Sequence, residues 1–125
     1  TIYHLLAILH NNAHKEIQTM KQDTYKTVTI IRKWGDDYIA IFPHELGIHT
    51  PYTCQSYMTI GQHGSCDPQG IIEQSEPTNT PERQTAKYRD FVAELESIGY
   101  NLDIRQRIPY NSLDIRRKKL AEFYS

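Results

Sequence analysis

The sequence predicts a small α+β domain, and three of its features carry that prediction. A β-branched run over residues 27–31 leads through Gly35-Asp36-Asp37 into a second apolar run over 38–43, the pattern of a hairpin. A third alternating stretch occupies residues 52–60. Beyond it, Tyr88, Phe91, Val92, Leu95 and Ile98 recur at helical spacing and stop at Gly99. The resulting order, β-β-β-α-β-α, calls for a four-stranded antiparallel or mixed sheet with helices packed on one face.

Taken in order, Ile2, Leu5, Leu6, Leu9, Ala13, Ile17 and Met20 lie at helical spacing opposite His4, His10, His14 and Lys15, which predicts an N-terminal helix over about 2–18. Residues 1–19 are either part of the native protein or an extension upstream of a start at Met20; the domain proper spans 20–125. The first strand, 26–34, sets Val28, Ile30 and Trp34 on one face, and Tyr38 opens the return strand. Residues 44–51 contain Gly47, end at Pro51 and read as a loop.

The third strand alternates Tyr52, Cys54, Met58 and Ile60 with Thr53, Gln55, Tyr57 and Thr59. Residues 61–70 hold three glycines and Pro68, so an irregular connection is expected, with a helical turn at Ile71-Ile72-Glu73. A polar linker over 75–81 ends at Thr80, a good helix cap, with Pro81 at the first helical position and Glu82 suited to the dipole. After Gly99, residues 100–108 alternate Leu102, Ile104 and Ile108 with Asp103, Arg105 and Arg107, a strand that Pro109 stops. Asn111 or Ser112 then caps a last helix over 113–124, whose contact face is Leu113, Leu120, Phe123 and Tyr124.

Composition narrows the function classes. At 125 residues, with 38% hydrophobic and 23% charged residues, the chain suits one globular domain. Its formal net charge of -1 gives no global pull toward nucleic acid or membrane. The charge is unevenly spread: residues 1–35 carry five Lys/Arg and two acids, 36–99 three and ten, and 100–125 six and three. An acidic middle therefore lies between mildly basic ends. No run approaches the roughly 18–20 apolar residues of a membrane span, and the start lacks the charged region and cleavage site of a signal peptide, so a cytoplasmic location is expected. Nine tyrosines against one tryptophan suit a half-buried sheet or an adhesive surface.

The segment VTIIRKWGDDYIAIFPHELG, residues 28–47, resembles the opening of HicB-like antitoxins, in which a strand, an acidic turn and a strand ending in Phe-Pro begin a β-β-β-α-β unit. The short Gly-Asp-Thr helix entry of that family is absent here, and Gly61-Gln62-His63-Gly64 stands in its place. With Phe42-Pro43, Ser56-Tyr57 and Gly61–Gly64, the chain is also similar to small uncharacterised proteins of bacteria and their mobile elements. The run α-β-β-β-α matches the element order of a double-stranded-RNA-binding domain, yet no basic cluster opens the post-sheet helix, where such domains grip phosphate.

Several residues are candidates for chemistry. His44-Glu45-Leu46-Gly47-Ile48-His49 has its histidines five apart across a glycine, which rules out the four-residue helical spacing of a zinc peptidase. A loop that gathered His44, His49, His63 and Cys66 would make a nitrogen/sulfur zinc site; the competing reading is surface histidines beside a structural turn. Cys54 and Cys66 are the only cysteines, too far apart for a CxxC motif; a disulfide needs the third strand and the next segment to fold back on each other, and reduced thiols with Cys54 buried are expected. Cys66 with His63 and Asp67 supplies the residue types of an activated thiol. Glu73, Glu76 and Glu82 read as solvated carboxylates, and no phosphate-binding glycine loop is present.

Arg105 and Arg107 on the last strand and Arg116, Arg117, Lys118 and Lys119 on the last helix form the one basic concentration. They make either a phosphate-binding surface or a solvated helix face. The expected function is a non-enzymatic binding or regulatory protein, associated with a mobile element, with a toxin-like protein or nucleic acid as partner. The alternative is a small metal- or thiol-dependent enzyme centred on His63 and Cys66.

Overall fold

The structure, a computed structural model, describes residues 25–59 and 61–125; the helix expected over 2–18 lies outside them. The elements are β1 (Thr27–Trp34), β2 (Asp37–Leu46), β3 (Cys54–Met58), β4 (Gln62–Cys66), α1 (Pro68–Gln74), β5 (Glu76–Pro77), α2 (Thr80–Arg83), α3 (Ala86–Ser97), β6 (Leu102–Ile104) and α4 (Ser112–Phe123). The α+β class is as the sequence predicts. The sheet is mixed, open and six-stranded, ordered β4-β3-β2-β1-β5, with β6 also paired to β1.

The hairpin forms where expected. Trp34 opposes Asp37 and Ile30 opposes Ile41, and Gly35 takes φ 63°, a value that costs a residue with a Cβ and costs glycine little. The return strand runs on past Pro43 to Leu46, so His44-Glu45-Leu46 is strand end rather than loop. Its pairing with β3 is broken there: Phe42 opposes Gln55, while Leu46 opposes the neighbouring Cys54. Pro43 has no N–H to give the ladder, and the bulge around it takes that residue out of register.

Residues 62–66 form a strand where an irregular connection was expected. β4 pairs with β3 from Met58↔Gln62 to Cys54↔Cys66, turned by Gly61 at φ 81°. Its outward side chains are exposed, so no apolar alternation marks it in the sequence. The long helix expected after Pro81 is two helices. Asn79, not Thr80, caps α2 through the amide of Glu82 at 3.0 Å, and Thr85 caps α3 through the amide of Tyr88 at 3.2 Å. The strand expected over 100–108 is shorter; β6 runs parallel to β1, with Thr27 opposite Leu102 and Thr29 opposite Ile104. β5 and β6 thus share the outer edge of β1.

Alternation along β2 builds two cores, because successive side chains point to opposite faces. Tyr38, Ala40 and Phe42 join Ile31, Tyr57, Tyr88, Phe91 and Leu95 under α3. Ile39 and Ile41 join Ile30, Cys54 and Ile71, closed by α1. The helices therefore cover both faces, not one, since the short α1 was too brief to read as a covering layer. Full burial of side chains such as Phe91 and Leu95 contributes about 1.5–3 kcal/mol each. Among the described residues no helix is long and apolar enough to cross a membrane.

Candidate binding surface along the last helix

Residues 47–53, the loop between β2 and β3, are tied at the base. The Gly47 amide donates to the Thr53 carbonyl at 3.3 Å and the Ile48 amide to Thr53 Oγ1 at 3.2 Å. A side chain at 47 has no room: a Cβ there would sit 2.8 Å from Ser65 Oγ and 2.9 Å from the Cys54 carbonyl. The loop is hydrogen-bonded to α4 through Arg116. Arg116 is 5% exposed, and its guanidinium donates to the carbonyls of Pro51 (2.7 Å) and Pro43 (2.6 Å). Lys119 Nζ lies 3.2 Å from Glu45 Oε1, one turn farther along.

With the helix held by Arg116, its predicted contact face divides: Leu113 and Leu120 are half-buried, and its C-terminal part turns outward. Phe123 and Tyr124 are 63% and 65% exposed, while Ser112 and Arg116 take the buried positions. The ring of His49 sits 5.5 Å from that of Phe123 and 6.1 Å from that of Tyr124. Leu46, Gly47, Ile48, His49 and Phe123 line a hollow of about 370 Å³. At the other end of α4, Tyr52, Tyr110, Leu113 and Pro68 line part of a second hollow of about 610 Å³. Ser112 Oγ is buried beside it without a hydrogen-bond partner. Of the seven large apolar side chains exposed among the described residues, Ile48, Tyr52, Tyr110, Phe123 and Tyr124 all lie on this loop or at the ends of this helix.

Four of the six cations are engaged within the fold. Arg116 is spent inside the fold. Arg105 is held by Asp103 at 2.8 Å, Lys119 by Glu45, and Arg117 lies 3.6 Å from Asp114. The Arg105 guanidinium holds the Asp103 carboxyl below its ordinary range. Arg107 and Lys118 are exposed, and no ion pair to either is found among the described residues.

His44, His49, His63 and Cys66 are likewise dispersed. No three His, Cys, Asp or Glu side chains among the described residues are placed to hold a metal ion, so the zinc set considered from the sequence does not assemble. His44 is half-buried at the end of β2, with Nε2 buried and unpartnered. Desolvation, then the charges of Lys119 and Arg105, push its pKa down. His63 is exposed on β4, with Nε2 3.2 Å from the Tyr100 hydroxyl and its ring 4.8 Å from that of Tyr57. Cys66 lies three residues farther along the same strand, hence on the opposite face, beside Cys54. The base and the thiol of the imagined dyad are thereby separated by the sheet. Asp67 is occupied as the cap of α1, accepting from Gln69 at 3.1 Å.

No protein family, curated protein or solved structure matches the chain.

Sequence reasoning missed the loop as a surface and Arg116 as its anchor. The signal available for the former was the tyrosine content. Among the described residues it divides between core positions, Tyr38, Tyr57 and Tyr88 with Tyr100 half-buried against them, and exposed ones, Tyr25, Tyr52, Tyr110 and Tyr124. Arg116 carries no such signal, since its acceptors lie 65 and 73 residues away. Arg32, 9% exposed and bonded to the carbonyls of Ile72 and Ser75, plays the same part for α1 and was equally invisible.

Proposed function

We propose that the chain is a non-enzymatic binding protein that recognises a protein partner through residues 47–53 and α4. The observation that carries this reading is the gathering of Ile48, Tyr52, Tyr110, Phe123 and Tyr124, exposed, around one anchored loop and helix. Contiguous exposed apolar side chains mark interaction surfaces, and aromatic anchors supply most of the energy there. Arg107 and Lys118, exposed and with no ion pair found among the described residues, suit a partner whose apolar anchors are flanked by acidic residues. The resemblance of residues 28–47 to HicB-like antitoxins agrees with a toxin-like protein as that partner, met in the cytoplasm of a bacterium carrying the mobile element. Nucleic acid is disfavoured, because burial and ion pairing absorb four of the six cations on which a phosphate surface would rest.

The test places a photocrosslinking amino acid at Ile48 and, as a control, at Asp90 on the exposed side of α3 in the folded protein. A protein adduct of one defined mass at 48, absent at 90 and lost with Phe123→Asp, is the expected result. Equal labelling at both positions, or none at 48, overturns the proposal. Salt-sensitive binding of random-sequence DNA or RNA that Phe123→Asp leaves intact would replace it with the nucleic-acid reading.

A further inference from the structure

We propose that Cys54 and Cys66 are a dithiol site that a small disulfide such as glutathione disulfide oxidises to an intrachain, cross-strand bond. The two residues are direct partners in the β3–β4 ladder, and their sulfurs stand 3.8 Å apart. Directly opposed residues of antiparallel strands have Cα atoms about 4.5–5.5 Å apart, inside the range of about 4.4–6.8 Å that a disulfide spans. Small rotations of the two thiols therefore close the bond without moving either strand.

The environments divide the work between the two sulfurs. Cys54 is fully buried between β2 and α1, whereas Cys66 is half-buried on the edge strand. Cys66 also lines a hollow of about 230 Å³ with Trp34, Met58 and Ile71, which gives a reagent a way in. Hydrogen bonding from Cys54 holds the Cys66 thiol below its ordinary pKa against desolvation, with Ser56 and Arg116 assisting and Asp67 opposing. Hydrogen bonding to Cys66, then burial, pushes Cys54 up.

In the first step the Cys66 thiolate attacks one sulfur of glutathione disulfide, forms a mixed disulfide and releases one glutathione thiolate. Cys54 then attacks Cys66 Sγ, and its proton passes to the departing glutathione sulfur, which leaves as the second glutathione. The protein loses two electrons and two protons, and one glutathione disulfide becomes two glutathiones. The product staples β4, the open edge of the sheet, to its neighbour.

The folded protein is incubated with glutathione disulfide, quenched in acid and weighed by intact-mass spectrometry under native-fold control by circular dichroism. The expected product has lost two hydrogens, carries no glutathione, resists alkylation at both cysteines and has no intermolecular disulfide. Cys54→Ala should stop at a stable glutathione adduct on Cys66, and Cys66→Ala should leave Cys54 unmodified. The equilibrium constant for closure should fall by about tenfold or more in denaturant, since the native ladder holds the thiols together. Two persistent thiols in the folded protein, an intermolecular disulfide, or equal closure in the folded and denatured chains overturns the proposal.

Discussion

Arg116 Nη1 donates to the Pro43 carbonyl over 2.6 Å, which pins the middle of α4 to the bulge at the end of β2. Two sequence features meet in that bond. Pro43 interrupts the β2–β3 ladder, which leaves its carbonyl in need of a partner, and a planar guanidinium serves two carbonyls from one buried position.

Removing that guanidinium strands both carbonyls. Arg116→Ala should lower the unfolding free energy by about 2–4 kcal/mol, the cost of buried acceptors left unpaired together with lost packing. Arg117→Ala, whose side chain is 52% exposed, should change it by less than about 0.5 kcal/mol. Urea denaturation of the two variants makes the comparison, and equal losses would mean that Arg116 is not the anchor.

Gly47 is the second fixed point of the loop. Gly47→Ala presses a methyl against Ser65 Oγ, Thr53 Oγ1 and the Cys54 carbonyl, the last of which is backbone and cannot rotate away. A loss of about 1–3 kcal/mol is expected, together with faster amide exchange at Gly47 and Ile48, whose bonds to Thr53 close the loop. Unchanged exchange at those two amides would contradict this account of the loop.

How much of this was legible depends on where each element's stabilising contacts lie. The β1–β2 hairpin is written locally, in Thr27–Ile31, Gly35 and the apolar return strand, and it formed as read. The stripe Tyr88, Phe91, Val92, Leu95 and Ile98 was also local; Tyr88, Phe91 and Leu95 are buried in the core and Val92 packs against it, while Ile98, at the helix end, is exposed. β4 was not legible, because Gln62, His63, Gly64 and Ser65 are held as a strand by pairing with β3 rather than by any apolar period. The last helix misled for a related reason: its apolar residues suggested the contact face, but distant carbonyls captured Arg116 and left Phe123 and Tyr124 outside. Of the candidate site, the residue types were visible and their grouping was not.

Acid should weaken the fold partly through Glu82. The Tyr38 hydroxyl donates to its carboxylate, with Lys33 3.5 Å away, and that hydrogen bond is the main cause of a pKa below the ordinary 4.5. A depressed carboxyl stabilises the fold fully above 4.5, and the stabilisation fades as pH falls through the lower folded value. Tyr38→Phe should therefore flatten the acid limb of the stability profile while keeping the buried ring. A limb of unchanged slope would assign the acid sensitivity to other carboxyls.

His44 should set a second pH dependence, nearer neutrality. Its side chain is partly desolvated at the β2 bulge, where the charges of Lys119, Arg105 and Arg116 outweigh that of Glu45, and it interacts with the Asp103 carboxylate as well. Its folded pKa therefore lies below the ordinary 6.5. Below 6.5 the unfolded chain takes up a proton that the folded chain refuses, so stability falls with pH from 6.5 down to the folded value and is then level. His44→Phe removes the proton-binding group and the unpartnered Nε2 together. The variant should match or exceed the parent's stability above 6.5 and lose the slope beneath it. Urea denaturation at pH values on both sides of 6.5 decides the matter. A slope that survives the substitution would move the titration to another group, and a large loss above 6.5 would show that the imidazole makes a bond its geometry does not reveal.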